Sequence, residues 1–69
     1  MYRFLTIDIT GRRARIDTLA VDDDDAVRQG ELYFESDVTL TALEVQTSSG
    51  TTLRHFAKAM AGSSQASAG

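Results

Sequence analysis

The sequence predicts an α+β fold in which one helix packs on a small antiparallel sheet, with the element order ββαββ. Two observations lead to this fold class. Residues 3–18 and 42–56 each alternate apolar and polar residues around a glycine-containing turn, which is typical of a β-hairpin. Between them, residues 21–37 carry apolar residues at helical spacing. We therefore expect one α+β domain over residues 1–56, followed by an Ala/Ser/Gly-rich tail over residues 57–69 that is largely disordered.

The first hairpin has three apolar residues on one strand face. These residues are Leu5, Ile7 and Ile9. A two-residue turn that begins at Gly11, where positive φ is required, pairs Ile7 with Ile16 and places both beneath the helix. The same register sets Asp8 opposite Arg15 as a cross-strand charge pair. A turn that begins one residue earlier slides the pairing by two residues and keeps the same faces.

The helix is predicted over residues 21–37. Asp22 is a suitable N-cap, Asp25 follows three residues later, and acidic residues in the first turn suit the positive end of the helix dipole. The apolar stripe consists of Ala26, Val27, Gly30, Tyr33 and Phe34. Glycine costs about 1 kcal/mol relative to alanine inside a helix. The position of Gly30 on the stripe therefore predicts a close approach of the helix to the sheet.

The second hairpin is predicted to turn at residues 48–50, where Ser-Ser-Gly matches a three-residue loop with glycine last. This turn pairs Leu43 with His55 and Ala42 with Phe56. We expect His55 to end the inner face of the sheet as a partly buried structural residue. Phe56 then lies on the outer face, which the helix does not cover.

Several short motifs along the chain form a recognisable layout. They are Tyr2-Arg3-Phe4, Gly11, Asp24-Asp25-Ala26, Leu43-Glu44-Val45 and Leu53-Arg54. In these motifs, residues 1–56 resemble a group of short uncharacterised proteins of alphaproteobacteria. The chain departs from that group at residues 28–31, where Arg-Gln-Gly-Glu replaces an Ala/Leu-rich helix, and in the additional residues 38–41. The resemblance implies a small α+β domain and carries no known activity.

Composition limits the classes of function. The chain has 69 residues and no Cys, which excludes a disulfide scaffold, a thiolate zinc site and a cysteine nucleophile. A two-layer domain of this size leaves little room for a substrate pocket, so we expect no enzyme, no catalytic residue, no metal and no cofactor. The sequence contains no apolar run of membrane-spanning or signal-peptide character. We therefore expect a cytoplasmic protein that does not contact membranes.

Charge is distributed unevenly along the chain. Arg12, Arg13 and Arg15 lie near the tip of the first hairpin and form a candidate phosphate-binding site for nucleic acid. Residues 17–37 hold eight acidic residues and one arginine, a density that suggests a nucleic-acid mimic able to inhibit a protein. The net charge of −3 argues against nucleic acid as the main partner. The run 22–25 lacks the ligand spacing of a calcium loop, so capping is its expected role.

The outer face of the predicted sheet contains an apolar cluster. The candidate interface residues are Tyr2, Phe4, Leu19, Val21 and Phe56. Because one helix covers only one face, this cluster indicates a surface for self-association or for a protein partner, unless residues 38–40 or 57–60 cover it. A chain this small is marginal alone, which favours a homodimer. The sequence therefore predicts a non-catalytic protein–protein interaction or regulatory module, with nucleic-acid binding or mimicry as the alternative.

Overall fold

The computed structural model describes residues 1–58, and its elements follow the predicted order ββαββ. The elements are β1 Tyr2–Asp8, β2 Arg13–Thr18, α1 Asp23–Ser36, β3 Leu40–Gln46 and β4 Thr52–Ala57. All paired strands are antiparallel, and their order across the sheet is β2-β1-β3-β4. The predicted fold class is confirmed. Of the predicted tail, Ala57 ends β4, and residues 59–69 lie outside the described part of the chain.

Two carboxylates stabilise the start of α1. The backbone N–H of Asp25 donates to Oδ1 of the N-cap Asp22 at 2.9 Å, as the sequence predicts. Oδ2 of Asp25 in turn accepts from the backbone N–H of Val21 at 3.0 Å. At the other end, the N–H of Asp37 donates to the carbonyl of Tyr33 at 3.2 Å, and the chain then turns into β3. Side-chain capping therefore satisfies backbone donors that a helix start leaves unpaired.

The core lies between α1 and the central strands. Its buried apolar residues are Phe4, Ala26, Phe34, Leu40, Leu43 and Val45. A Cβ added at Gly30 would lie 2.5 Å from Cγ2 of Val45 and 3.3 Å from Cδ2 of Leu43. The predicted close approach of helix and sheet at Gly30 is therefore confirmed. Because Gly30 has no side chain, the backbone of α1 packs directly against the side chains of β3.

The first turn is longer than the sequence predicts. Residues 9–12 connect β1 and β2, and Gly11 adopts a φ of +84°. Oδ1 of Asp8 accepts from the backbone N–H groups of Thr10 and Arg12 at 2.9 and 3.0 Å, and from the Thr10 hydroxyl at 2.6 Å. These bonds, the hydroxyl bond first, lower the pKa of Asp8. The Asp8 carboxylate therefore builds the turn.

The longer turn changes the register of the first hairpin. Ile16 pairs with Phe4 instead of Ile7, a shift of three residues. Since an odd shift exchanges the faces of a strand, Phe4 lies beneath the helix and is 4% exposed. Leu5 and Ile7 lie half-buried on the opposite face, and Ile9 is exposed in the turn. The prediction that Leu5, Ile7 and Ile9 lie beneath the helix is therefore wrong.

The second hairpin is also shifted, here by one residue. Leu43 pairs with Phe56 and Glu44 pairs with His55, because β4 carries one extra residue as a bulge beside the turn. Phe56 consequently lies beneath the helix, where its ring stacks on Phe34 at 5.8 Å between centroids. His55 is exposed on the opposite face. The predictions of a partly buried His55 and an outward Phe56 are both wrong.

Candidate interaction surfaces

The five residues predicted as an interface do not form one surface. Phe4 is buried, and Tyr2 and Phe56 are half-buried against the same core under α1. Leu19 and Val21 lie in the connection between β2 and α1 and are 73% and 90% exposed. The prediction that Tyr2, Phe4 and Phe56 lie on the uncovered face is wrong, because both hairpin registers are shifted by odd numbers.

The sheet face turned away from α1 is the uncovered face, and all four strands contribute to it. Its members are Arg3, Leu5, Ile7, Arg13, Arg15, Asp17, Ala42, Glu44, Gln46, Thr52, His55 and Ala57. Leu5 and Ile7 of β1 lie beside Ala42 of β3 and form an apolar strip in its centre. This strip lies in a depression of about 270 Å³ whose rim includes Arg13 and His55. Within residues 1–58 no other element lies over the uncovered face.

Glu44 is held ionised beside the apolar strip. Its Oε2 accepts from the Thr52 hydroxyl and, at 2.9 Å, from Nε2 of Gln46. These two bonds, the Thr52 bond first, lower the pKa of Glu44 and outweigh its partial desolvation, which acts in the opposite direction. The uncovered face therefore combines an apolar centre with a fixed carboxylate and a rim of basic side chains. Such a mixture suits contact with another protein surface.

The predicted phosphate site is only partly assembled. Arg13 and Arg15 are exposed and share the uncovered face, and Arg12 lies in the turn beside them. The guanidinium of Arg15 lies 3.6 Å from the carboxylate of Asp17 on its own strand, so the predicted pair of Arg15 with Asp8 is wrong. The aromatic side chains that a base would stack on, those of β1, point to the opposite face.

The acidic helix start is engaged in contacts within the chain. Oδ1 of Asp23 accepts from the Tyr2 hydroxyl at 2.7 Å, and this bond is the main cause of a raised pKa for Tyr2. Asp22 and Asp25 cap the helix, and Oδ2 of Asp25 also accepts from Nε2 of Gln29 at 3.1 Å. Within residues 1–58, no three His, Asp or Glu side chains are grouped as metal ligands.

The outer edge of β2 is a candidate interaction surface that the sequence analysis did not predict. In the described part of the chain, β2 pairs only with β1, so its other side presents unpaired backbone groups. On the helix side, a depression of about 300 Å³ lies beside this edge, lined by Phe4, Ile16, Thr18, Gln29 and Tyr33. The available sequence signal was the alternation of Arg15, Ile16 and Asp17, which puts opposite charges on one face and an apolar residue on the other.

Comparison of the chain with protein-family models, with curated proteins and with solved structures gave no match. The resemblance to short alphaproteobacterial proteins therefore stays a prediction. In residues 1–58, no helix has both the length and the apolar character that crossing a bilayer requires. The function of the chain is therefore inferred from its own geometry.

Proposed function

We propose that the protein is a small non-catalytic protein–protein interaction module of the cytoplasm, and that its binding surface is the uncovered face of the sheet. One observation carries the proposal. Within residues 1–58, the four-stranded sheet is covered by a helix on one side only, and Leu5, Ile7 and Ala42 lie side by side on the other. A contiguous apolar strip with a polar rim is the usual anatomy of an interface core.

Two arginines of the uncovered face support a proposal for the partner's chemistry. Arg15 and Asp17 form the only ion pair within residues 1–58. Arg3 and Arg13 therefore have no acidic partner in this part of the chain, and Nε of Arg3 is buried without a hydrogen-bond partner there. A carboxylate is the acceptor that forms the strongest hydrogen bonds with a guanidinium. The partner we propose is a protein segment with apolar side chains flanked by carboxylates.

Capture of host proteins by the tagged full-length chain tests this proposal. The variant Ile7→Glu replaces the apolar centre with a charge that would be buried among the partner's apolar side chains and would repel the carboxylates beside them, so the captured protein should be lost. The matched control is Leu32→Glu, because Leu32 is 61% exposed on α1 and far from the uncovered face. The control should capture the protein as the unmodified chain does.

Two outcomes contradict the proposal. Capture that is equally strong for Ile7→Glu and for the unmodified chain would show that the uncovered face is not the binding surface. Recovery of nucleic acid, together with proteins that nuclease treatment removes, would instead support phosphate binding by Arg12, Arg13 and Arg15.

A further inference from the structure

We propose that two copies of this chain pair through the outer edges of β2, antiparallel and about a two-fold axis, to form one continuous eight-stranded sheet. This inference concerns a second copy at the sheet edge and is independent of the partner proposed for the uncovered face. Addition of a strand at an exposed edge is a common mode of protein association. A domain of this size buries a smaller fraction of its surface than a larger one, so burial between two copies adds to its stability.

The backbone groups available for this pairing follow from the first hairpin. The N–H of Asp8 donates to the carbonyl of Arg12 at 3.0 Å, which marks this pair as a hydrogen-bonded one. Because hydrogen-bonded and non-hydrogen-bonded pairs alternate in an antiparallel ladder, even-numbered residues of β2 bond to β1. The odd-numbered residues Arg13, Arg15 and Asp17 therefore direct their N–H and C=O groups outward.

The sequence of β2 is complementary to itself in one register. With the two-fold axis at Ile16, Arg15 of each copy lies opposite Asp17 of the second copy. Both are outward residues, so the two Arg15–Asp17 pairs also exchange four backbone hydrogen bonds. The two Ile16 side chains then meet as a non-hydrogen-bonded pair, the arrangement in which side chains approach most closely.

The neighbouring registers bring like charges together. A two-fold axis at Arg15 places Arg15 of one copy opposite Arg15 of the other, and an axis at Asp17 does the same with Asp17. An axis at Ala14 sets Arg13 opposite Arg15 twice. Like charges directly opposite each other destabilise a sheet, so the axis at Ile16 is the favoured one.

The helix side of β2 adds apolar contact to this pairing. Helix α1 packs over β3 and β4, which leaves Ile16 half-buried at the edge. Ile16 lines the depression of about 300 Å³ together with Phe4 and Tyr33, whose rings stack at 6.2 Å between centroids. The two-fold axis at Ile16 brings the depressions of both copies next to each other. Pairing therefore removes this apolar surface from water.

The other edge of the sheet lacks this complementarity. Strand β4 contains Arg54 and His55 and no acidic residue, and Lys58 follows it. An antiparallel pairing of two β4 strands would therefore bring cations together without a compensating carboxylate. The charges select β2 as the edge at which two copies meet.

Sedimentation of paired charge variants tests the inference. The unmodified chain should form a dimer whose fraction rises with concentration. Arg15→Asp and Asp17→Arg each create like-charged pairs across the axis, so each variant alone should be monomeric. Mixed in equal amounts, the two variants restore both opposite-charge pairs and should form a 1:1 heterodimer. Arg13→Asp is the matched control on the same edge and should still dimerise.

A cysteine cross-link reads the register directly. The chain has no Cys, so any disulfide comes from the introduced residue. Ile16→Cys should form an intermolecular disulfide under mild oxidation, because the two positions face each other across the axis. Ala14 lies on the same face of β2, but in this register the two Ala14 positions are separated along the strand. Ala14→Cys should therefore form no intermolecular disulfide.

Three results would overturn the inference. A monomer at every concentration of the unmodified chain would remove the dimer. A dimer that survives both Arg15→Asp and Asp17→Arg would place the contact elsewhere. Failure of the two variants to combine, while circular dichroism shows both folded, would show that these charges do not meet.

Discussion

Gly30→Ala is the sharpest test of how the helix packs on the sheet. The new methyl carbon would lie 2.5 Å from Cγ2 of Val45, a side chain that is fully buried, so the helix or this side chain must shift. Overpacking of this kind costs about 1–3 kcal/mol. The higher helix propensity of alanine returns about 1 kcal/mol. We expect a net loss of about 0–2 kcal/mol in the free energy of unfolding.

A double-mutant cycle separates these two contributions. Val45→Ala alone removes two buried methyl groups and should cost about 2–3 kcal/mol, from transfer of these groups and the space they leave. In that background the methyl group of Gly30→Ala enters the vacated space. The same substitution should then stabilise the protein, with a coupling of about 1 kcal/mol or more between the two sites.

Urea unfolding followed by circular dichroism measures all four proteins. The control is the pair Glu31→Gly and Glu31→Ala, because Glu31 is exposed on α1 and their difference gives the propensity term alone. If Gly30→Ala stabilises the protein by the same amount with Val45 present and with Val45 replaced, the two positions do not touch. The close approach of α1 to β3 would then be refuted.

Three further predictions concern the groups that hold the turns and the helix start. Because the pKa of Asp8 is lowered in the folded protein, its ionised carboxylate stabilises the fold above the ordinary aspartate pKa, and this stabilisation is lost as pH falls through the lower folded value. Asp8→Asn should therefore make the free energy of unfolding depend less on pH in the acid range. Asp22→Ala removes the N-cap acceptor and should cost about 0.5–2 kcal/mol in urea unfolding. The raised pKa of Tyr2 means that its contribution is present below the ordinary tyrosine pKa and is lost as pH rises through the folded value. In a Tyr33→Phe background, the tyrosinate absorbance should titrate above the ordinary midpoint, and Asp23→Asn should move it back; an unchanged midpoint would contradict the Tyr2–Asp23 bond.

The element order and the helix were predictable because their signals are local. The N-cap at Asp22 and the close packing at Gly30 can both be inferred from a few neighbouring residues. Pairing of β1 with β3, which joins the two hairpins into one sheet, is a contact between segments far apart in the sequence. The local patterns leave that strand order undetermined.

The registers were not predictable from alternation alone. The Asp8 carboxylate builds a four-residue turn, and the extra residue near the start of β4 forms a bulge. Each feature shifts its hairpin by an odd number of residues, and each odd shift exchanges the buried and exposed faces. Of the expected interface residues, Phe4 is therefore part of the core and Phe56 packs against it, while Ile7 lies on the uncovered face.

A comparison of Phe4→Ala with Ile7→Ala tests most directly which face of β1 is the core, on which both proposed surfaces depend. Phe4 is 4% exposed beneath α1, so its truncation should lower the free energy of unfolding by about 3–5 kcal/mol. Ile7 is half-buried on the uncovered face, so its truncation should cost about 1 kcal/mol and leave a folded protein. The opposite order, with Ile7→Ala the more damaging change, would place the helix on the other face and contradict the account.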